Sequence, residues 1–215
     1  MKTTTLLPAA MLALVPWASG EVEWSPTITL RDAGAWQDAN GADGEGAEAS
    51  AEAGRRAWGA DGSWWFGVGG GVANDFEDAT DFDIHLSVWQ FVVEDVEVGG
   101  ELAFWRYELE SGEEYGINPN LVVRWHFVNE QSYSVYADVG IGMVFTTDDV
   151  PARGTSVNFT PRVGVGMTFR PLSDSDWRVQ VGVRWAHISN ARLQGDDDNP
   201  ARDSAMVYAG VVIPF

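Results

Sequence analysis

The chain has 215 residues, a formal net charge of −19 and no cysteine. That length fits one medium β domain with a tail; the missing cysteines exclude disulfides, a thiol nucleophile and thiolate metal sites. The acidic balance argues against a nucleic-acid partner held through phosphates. Eleven tryptophans and 24 glycines suit a β-barrel in a membrane better than a helical enzyme.

Residues 1–20 read as a secretory signal. Lys2 supplies the positive start, Leu6 to Val15 a short apolar run, and Ala18-Ser19-Gly20 a small-residue cleavage site. The run is too short to cross a bilayer as a helix. Residues 21–61 carry no steady period and turn Ala/Gly/Glu/Asp-rich, so a disordered acidic segment is expected.

From Gly62 the pattern changes to long runs alternating every second residue. The first, Ser63 to Ala73, sets Trp64, Phe66, Val68 and Val72 on one face with glycines opposite. In the second, Phe82 to Val93, Ile84, Leu86 and Val88 face outward against Asp83, His85 and Ser87. The third, Val96 to Leu109, is irregular, with Glu101 and Arg106 on different sides. The fourth, Ile117 to Phe127, alternates Leu121, Val123 and Trp125 with Asn120, Arg124 and His126. The fifth runs Tyr133 to Phe145 and the sixth Ser156 to Phe169. The seventh sets Trp177, Val179, Val181, Val183, Trp185, His187 and Ser189 on one face; the eighth is Ser204 to Phe215.

Eight such strands predict an eight-stranded antiparallel transmembrane barrel over residues 62–215. Their length matches the roughly 9–11 residues that a tilted strand needs to cross a bilayer. The second face carries Arg124, Arg162, Arg178, Arg184 and Asp138 among glycines, which suits a packed polar interior too full for a pore. Links after the second, fourth and sixth strands are expected to be short and periplasmic, the other four longer and extracellular. Phe215 gives the chain an aromatic end like the signal that barrel-assembly machinery reads.

The chemistry centres on His187-Ile188-Ser189-Asn190. On a strand His187 and Ser189 share a face, and here they continue the apolar one. A serine hydroxyl becomes a nucleophile when an adjacent base takes its proton and a third group orients that base. Counting back from Phe215 in twos brings Asp203 to the same outward face, beside His187. A carboxylate at a lipid boundary is costly and usually functional. The bland readings are an interfacial histidine, a serine that opens a loop, and a loop aspartate. His85 and His126 are expected inside the barrel, and Asp196-Asp197-Asp198 in a solvated loop.

His187-Ile188-Ser189-Asn190-Ala191, followed by Asn199-Pro200 and Asp203-Ser204, resembles the outer-membrane lipid A deacylase family, strongly from Arg184 onward. The resemblance implies an eight-stranded barrel with its catalytic residues on the lipid-facing exterior, at the outer leaflet of a bacterial outer membrane. It implies Ser189 as nucleophile, His187 as general base, Asp203 as the orienting acid and Asn190 in the oxyanion hole. No metal or cofactor is expected, and the substrate would be lipid A of lipopolysaccharide. Two departures stand out. The acid is Asp203 where well-known members carry Glu, and Arg192 stands where they commonly carry a Gly that supplies a backbone donor. The competing reading is a non-enzymatic barrel of adhesin or structural type, and a homodimer is left open.

Overall fold

The structure, a computed structural model, describes residues 58–76, 79–172, 175–193 and 199–215. The proposed signal, most of the acidic segment and Asp196-Asp197-Asp198 lie outside the described residues. The strands are β1 (Trp64–Asn74), β2 (Thr80–Val93), β3 (Val96–Leu109), β4 (Gly112–Asn129) and β5 (Tyr133–Thr146). They continue as β6 (Val157–Phe159), β7 (Arg162–Phe169), β8 (Arg178–Ile188) and β9 (Arg202–Pro214). All pair antiparallel in the order β4-β3-β2-β1-β9-β8-β7-β5-β6, and β4 also pairs with β5, so the sheet closes on itself.

The expected sixth strand is two segments, β6 and β7, both paired with β5. The nine segments therefore make the eight staves of the barrel. The break falls at Thr160-Pro161, where proline has no N–H to give the ladder. Pairing persists around it: Thr160 N–H donates to Gly142 O at 2.9 Å, and Pro161 O accepts from His187 N–H at 3.1 Å. The alternation does not slip, because Asn158, Thr160 and Arg162 are all buried.

Period two sorts the residues as expected, with the apolar set outside. Ile84 and Val207 are 67% and 63% exposed, within a belt that includes Leu121, Val139 and Val165. In water such a belt would drive aggregation; in lipid it matches the solvent, and closure leaves no unpaired edge. The interior is ionic and aromatic. Glu97 accepts from Arg124 at 2.8 Å and pairs with His126 at 3.2 Å. Glu101 takes Arg162 at 2.6 Å and Arg184 at 3.5 Å, while Arg184 also reaches Asp138 at 3.1 Å. The Arg124 guanidinium lies 4.0 Å from the Trp89 ring centroid and 4.2 Å from that of Tyr136. These rings need small neighbours: a Cβ at Gly99 would strike Trp89, and one at Gly182 would strike Tyr208.

Two expectations about the ends need correction. The third link is no long loop, because β3 and β4 stay paired out to Leu109↔Gly112 and turn through Glu110-Ser111. At the other end, the acidic segment was expected to be disordered up to residue 61, yet Trp58 is seated in the barrel mouth. Its ring meets Trp65 at 4.6 Å, Phe91 at 5.2 Å and His126 at 5.4 Å, all edge-on. Arg178 covers it at 4.6 Å. A lone tryptophan disappears in the average of an Ala/Gly-rich window, but an aromatic wall gives it a seat.

Removing one partner of a buried ion pair strands the other. Arg184→Met therefore lowers barrel stability by about 3–5 kcal/mol, measured by urea unfolding in vesicles. Val139→Ala on the lipid face lowers it far less.

Candidate active site

β8 and β9 position the site. Their register makes His187 and Asp203 direct cross-strand partners. His187 Nδ1 and Asp203 Oδ1 stand 2.8 Å apart, with side chains 21% and 53% exposed. Opposed residues need little reach, so the shorter aspartate closes the hydrogen bond without the extra methylene of a glutamate. Arg202, one residue earlier, turns inward and anchors the start of β9 to Asp75 at 3.3 Å and Asp81 at 2.8 Å. That inward anchor holds Asp203 outward, since neighbours on a strand take opposite faces.

Ser189 lies just beyond the end of β8. A single bridge to Phe159 holds it: Ser189 N–H donates to Phe159 O at 3.2 Å, and Phe159 N–H donates to Ser189 O at 2.8 Å. The residue is partly exposed, in phase with His187. The imidazole–carboxylate bond is formed, whereas none of the hydrogen bonds among the described residues joins the Ser189 hydroxyl to His187. Such bonds are often long before substrate arrives. Two strand rises, roughly 6.6 Å, separate the two Cα atoms, a span that their side chains can close.

Asn190 lies where strand alternation puts it, on the face opposite His187 and Ser189, and is buried. Its N–H donates to Asn199 Oδ1 at 2.8 Å, and its own Oδ1 accepts from Arg192 N–H at 2.8 Å. The chain bends just after it: Ala191 and Arg192 take φ of 54° and 63°. Arg192 thus adopts the left-handed backbone that glycine would favour, but its N–H is turned onto Asn190. The structure brings His187 and Asp203 together with Ser189 alongside, and leaves both Asn190 and the Arg192 N–H engaged locally.

His85 and His126 face inward, bonded to Asp83 at 2.8 Å and Ser134 at 3.0 Å. Sequence reasoning missed the Asn199 acceptor, the Arg202 anchor and the Trp185 ring stacked on His187. The last was legible, since Trp185 precedes His187 by two residues on the same face. Beside the site, a cleft of about 610 Å³ opens among the loops and is lined in part by Asp203, Arg202, Arg153 and Glu108. A hydroxyl, an imidazole and a carboxylate on one face compose the set that acyl transfer uses.

Comparison with known proteins adds to this geometry. The family model described as lipid A 3-O-deacylase (PagL) matches residues 22–212. The match begins well before β1 and so takes in the acidic segment, which the sequence resemblance over residues 62–215 did not. Among solved structures, the outer membrane enzyme PagL aligns with TM-score 0.52 and 20% identity, over 70% of this chain and 99% of that one. Neisserial surface protein A aligns with TM-score 0.54 and 13% identity, over 71% of this chain and 97% of that one. At these identities the likeness is one of fold. No curated protein matches the chain.

Asn199→Ala leaves the buried Asn190 N–H without its acceptor, a local cost of about 1–3 kcal/mol. Amide hydrogen exchange at Asn190 should quicken accordingly, with exchange in β5 unchanged.

Proposed function

The chain belongs to the lipid A 3-O-deacylase family, outer-membrane ester hydrolases, and on that premise we propose that Ser189, His187 and Asp203 form its catalytic triad on the lipid-facing exterior. The substrate is lipid A of lipopolysaccharide, cut at the ester of its 3-linked acyl chain. The observation that carries this reading is the His187–Asp203 bond of 2.8 Å on the outer face of the barrel, with Ser189 in phase beside it. A half-exposed carboxylate at the rim of an apolar belt has no evident structural purpose.

With Nδ1 on Asp203, His187 has Nε2 for the proton of Ser189. Ser189 Oγ attacks the ester carbonyl while Nε2 takes that proton, and Asp203 stabilises the imidazolium. The intermediate collapses, and the sugar hydroxyl leaves with the proton from His187. A water then attacks the acyl-enzyme, again giving its proton to Nε2, and the fatty acid and free serine are released. Asn190 is assigned to the oxyanion hole, where a donor would stabilise the charge that develops on the ester oxygen.

The long links after β5 and β8 lie at the Ser189 end, which supports a site at the outer leaflet. There an acyl ester already lies beside the barrel wall. Residues 1–20 serve as the export signal, and the acidic segment follows it. Phe215 N–H donates to Trp64 O at 3.2 Å, continuing the β9–β1 pairing. A homodimer would add no group to the mechanism.

Refolded chain is incubated with lipopolysaccharide and the lipid A weighed by mass spectrometry. One hydroxyacyl mass should be lost, and Ser189→Ala or His187→Ala should abolish the loss. Asp203→Asn should lower turnover by about 10³–10⁴-fold, far more than changes at Asp196, Asp197 or Asp198. Unaltered lipid A over a folded barrel would leave the non-enzymatic reading in its place.

A further inference from the structure

Trp185 lies two residues before His187 on the lipid-facing side of β8, 43% exposed. Its ring is stacked on the imidazole, with centroids 5.6 Å apart and planes 27° from parallel. Its cross-strand neighbours are Val163 on β7 and the small Ala205 on β9. From this arrangement we infer that Trp185 is a positioning residue that fixes the plane of the catalytic base and stabilises its charged form, a role that rests on the triad proposed above.

The bond from Nδ1 to Asp203 pins one edge of the imidazole, yet the ring can still swing about its Cβ–Cγ bond. A flat surface against one face removes that freedom. Edge and face together direct Nε2, the atom that must meet the Ser189 proton. The second contribution is electrostatic. When Ser189 gives up its proton, His187 becomes an imidazolium within about 6 Å of an indole face, the range in which the ring quadrupole attracts a cation. The attraction is absent while the imidazole is neutral, so it favours the charged transition state over the resting enzyme. Water is scarce at the lipid boundary, where such an attraction counts for more.

An outward tryptophan near a membrane interface has a plainer use as an anchor in the aromatic belt, and a place beside the scissile ester would also let it touch the acyl chain. The three uses move different observables. An anchor changes stability. An acyl contact changes KM. A support for the base changes kcat, together with the reactivity of Ser189 toward any electrophile.

The test uses the full chain refolded into vesicles, with Trp185→Leu and Trp185→Phe. Steady-state deacylation of lipid A gives kcat and KM. A small fluorophosphonate gives the reactivity of Ser189 without long acyl contacts: Oγ attacks phosphorus, fluoride leaves, and His187 takes the proton. Trp185→Leu should lower kcat by about three- to thirtyfold, lower the labelling rate in parallel and leave KM close to its starting value. Trp185→Phe keeps an aromatic face and should recover most of both rates. Unchanged labelling in Trp185→Leu, with a raised KM or only a shifted unfolding midpoint, would overturn the role. A wild-type chain that deacylates lipid A but is never labelled at Ser189 would sink the serine mechanism itself, and this role with it.

Discussion

The ladder between β1 and β9, from Trp65↔Pro214 to Asn74↔Ala205, closes the sheet and removes its last free edges. In a hydrocarbon solvent each unpaired backbone group would cost several kcal/mol, so no partly open form of this sheet is tolerable there. The same strand carries the site. One edge of β9 completes the barrel, and the other sets Asp203 against His187. A slip of one residue would turn Asp203 inward and Arg202 out to the lipid, since strand faces alternate. Closure and the pairing of His187 with Asp203 therefore depend on a single register.

Closure also divides the charges. Inside, Glu97, Glu101 and Asp138 are each matched by arginines, and aromatic faces cover the guanidinium groups of Arg124 and Arg184. A core so arranged supports the wall and has little to offer a substrate. The proposed triad sits on the other surface, where a lipid ester could approach sideways within the membrane plane. A soluble esterase must draw its lipid into a pocket. In the function proposed above, the bilayer itself would hold the acyl chain against the wall.

Much of this was legible in the sequence because the pattern is so regular. Alternation alone assigned Ile84, Leu86 and Val88 to one face and His85 to the other, and counting in twos from Phe215 found the face of Asp203. The failures have separate causes. Pro161 breaks the ladder, but its neighbours keep their bonds, so the residue pattern runs unbroken through a structural interruption. Beyond the lipid, β3 and β4 continue with Glu113, Glu114 and Tyr115, where no apolar solvent enforces alternation and the strand is easily mistaken for a loop. Arg202 finds Asp75 and Asp81 across more than a hundred residues, a pairing that no local spacing reveals. Asn190 sat on the wrong face by simple counting, and the fold keeps it there, joined to Asn199 and Arg192.

Trp58 bears on the order in which the molecule is assembled. Its partners Trp65, Phe91, His126 and Arg178 come from β1, β2, β4 and β8, staves spread around the circumference. No single hairpin offers that seat; it is complete only when β8 joins β1, β2 and β4 around it. Docked there, the tryptophan ties β8 to β1, β2 and β4 at the end away from the long loops. It behaves as a latch just ahead of the first strand, joining staves that the sequence sets far apart.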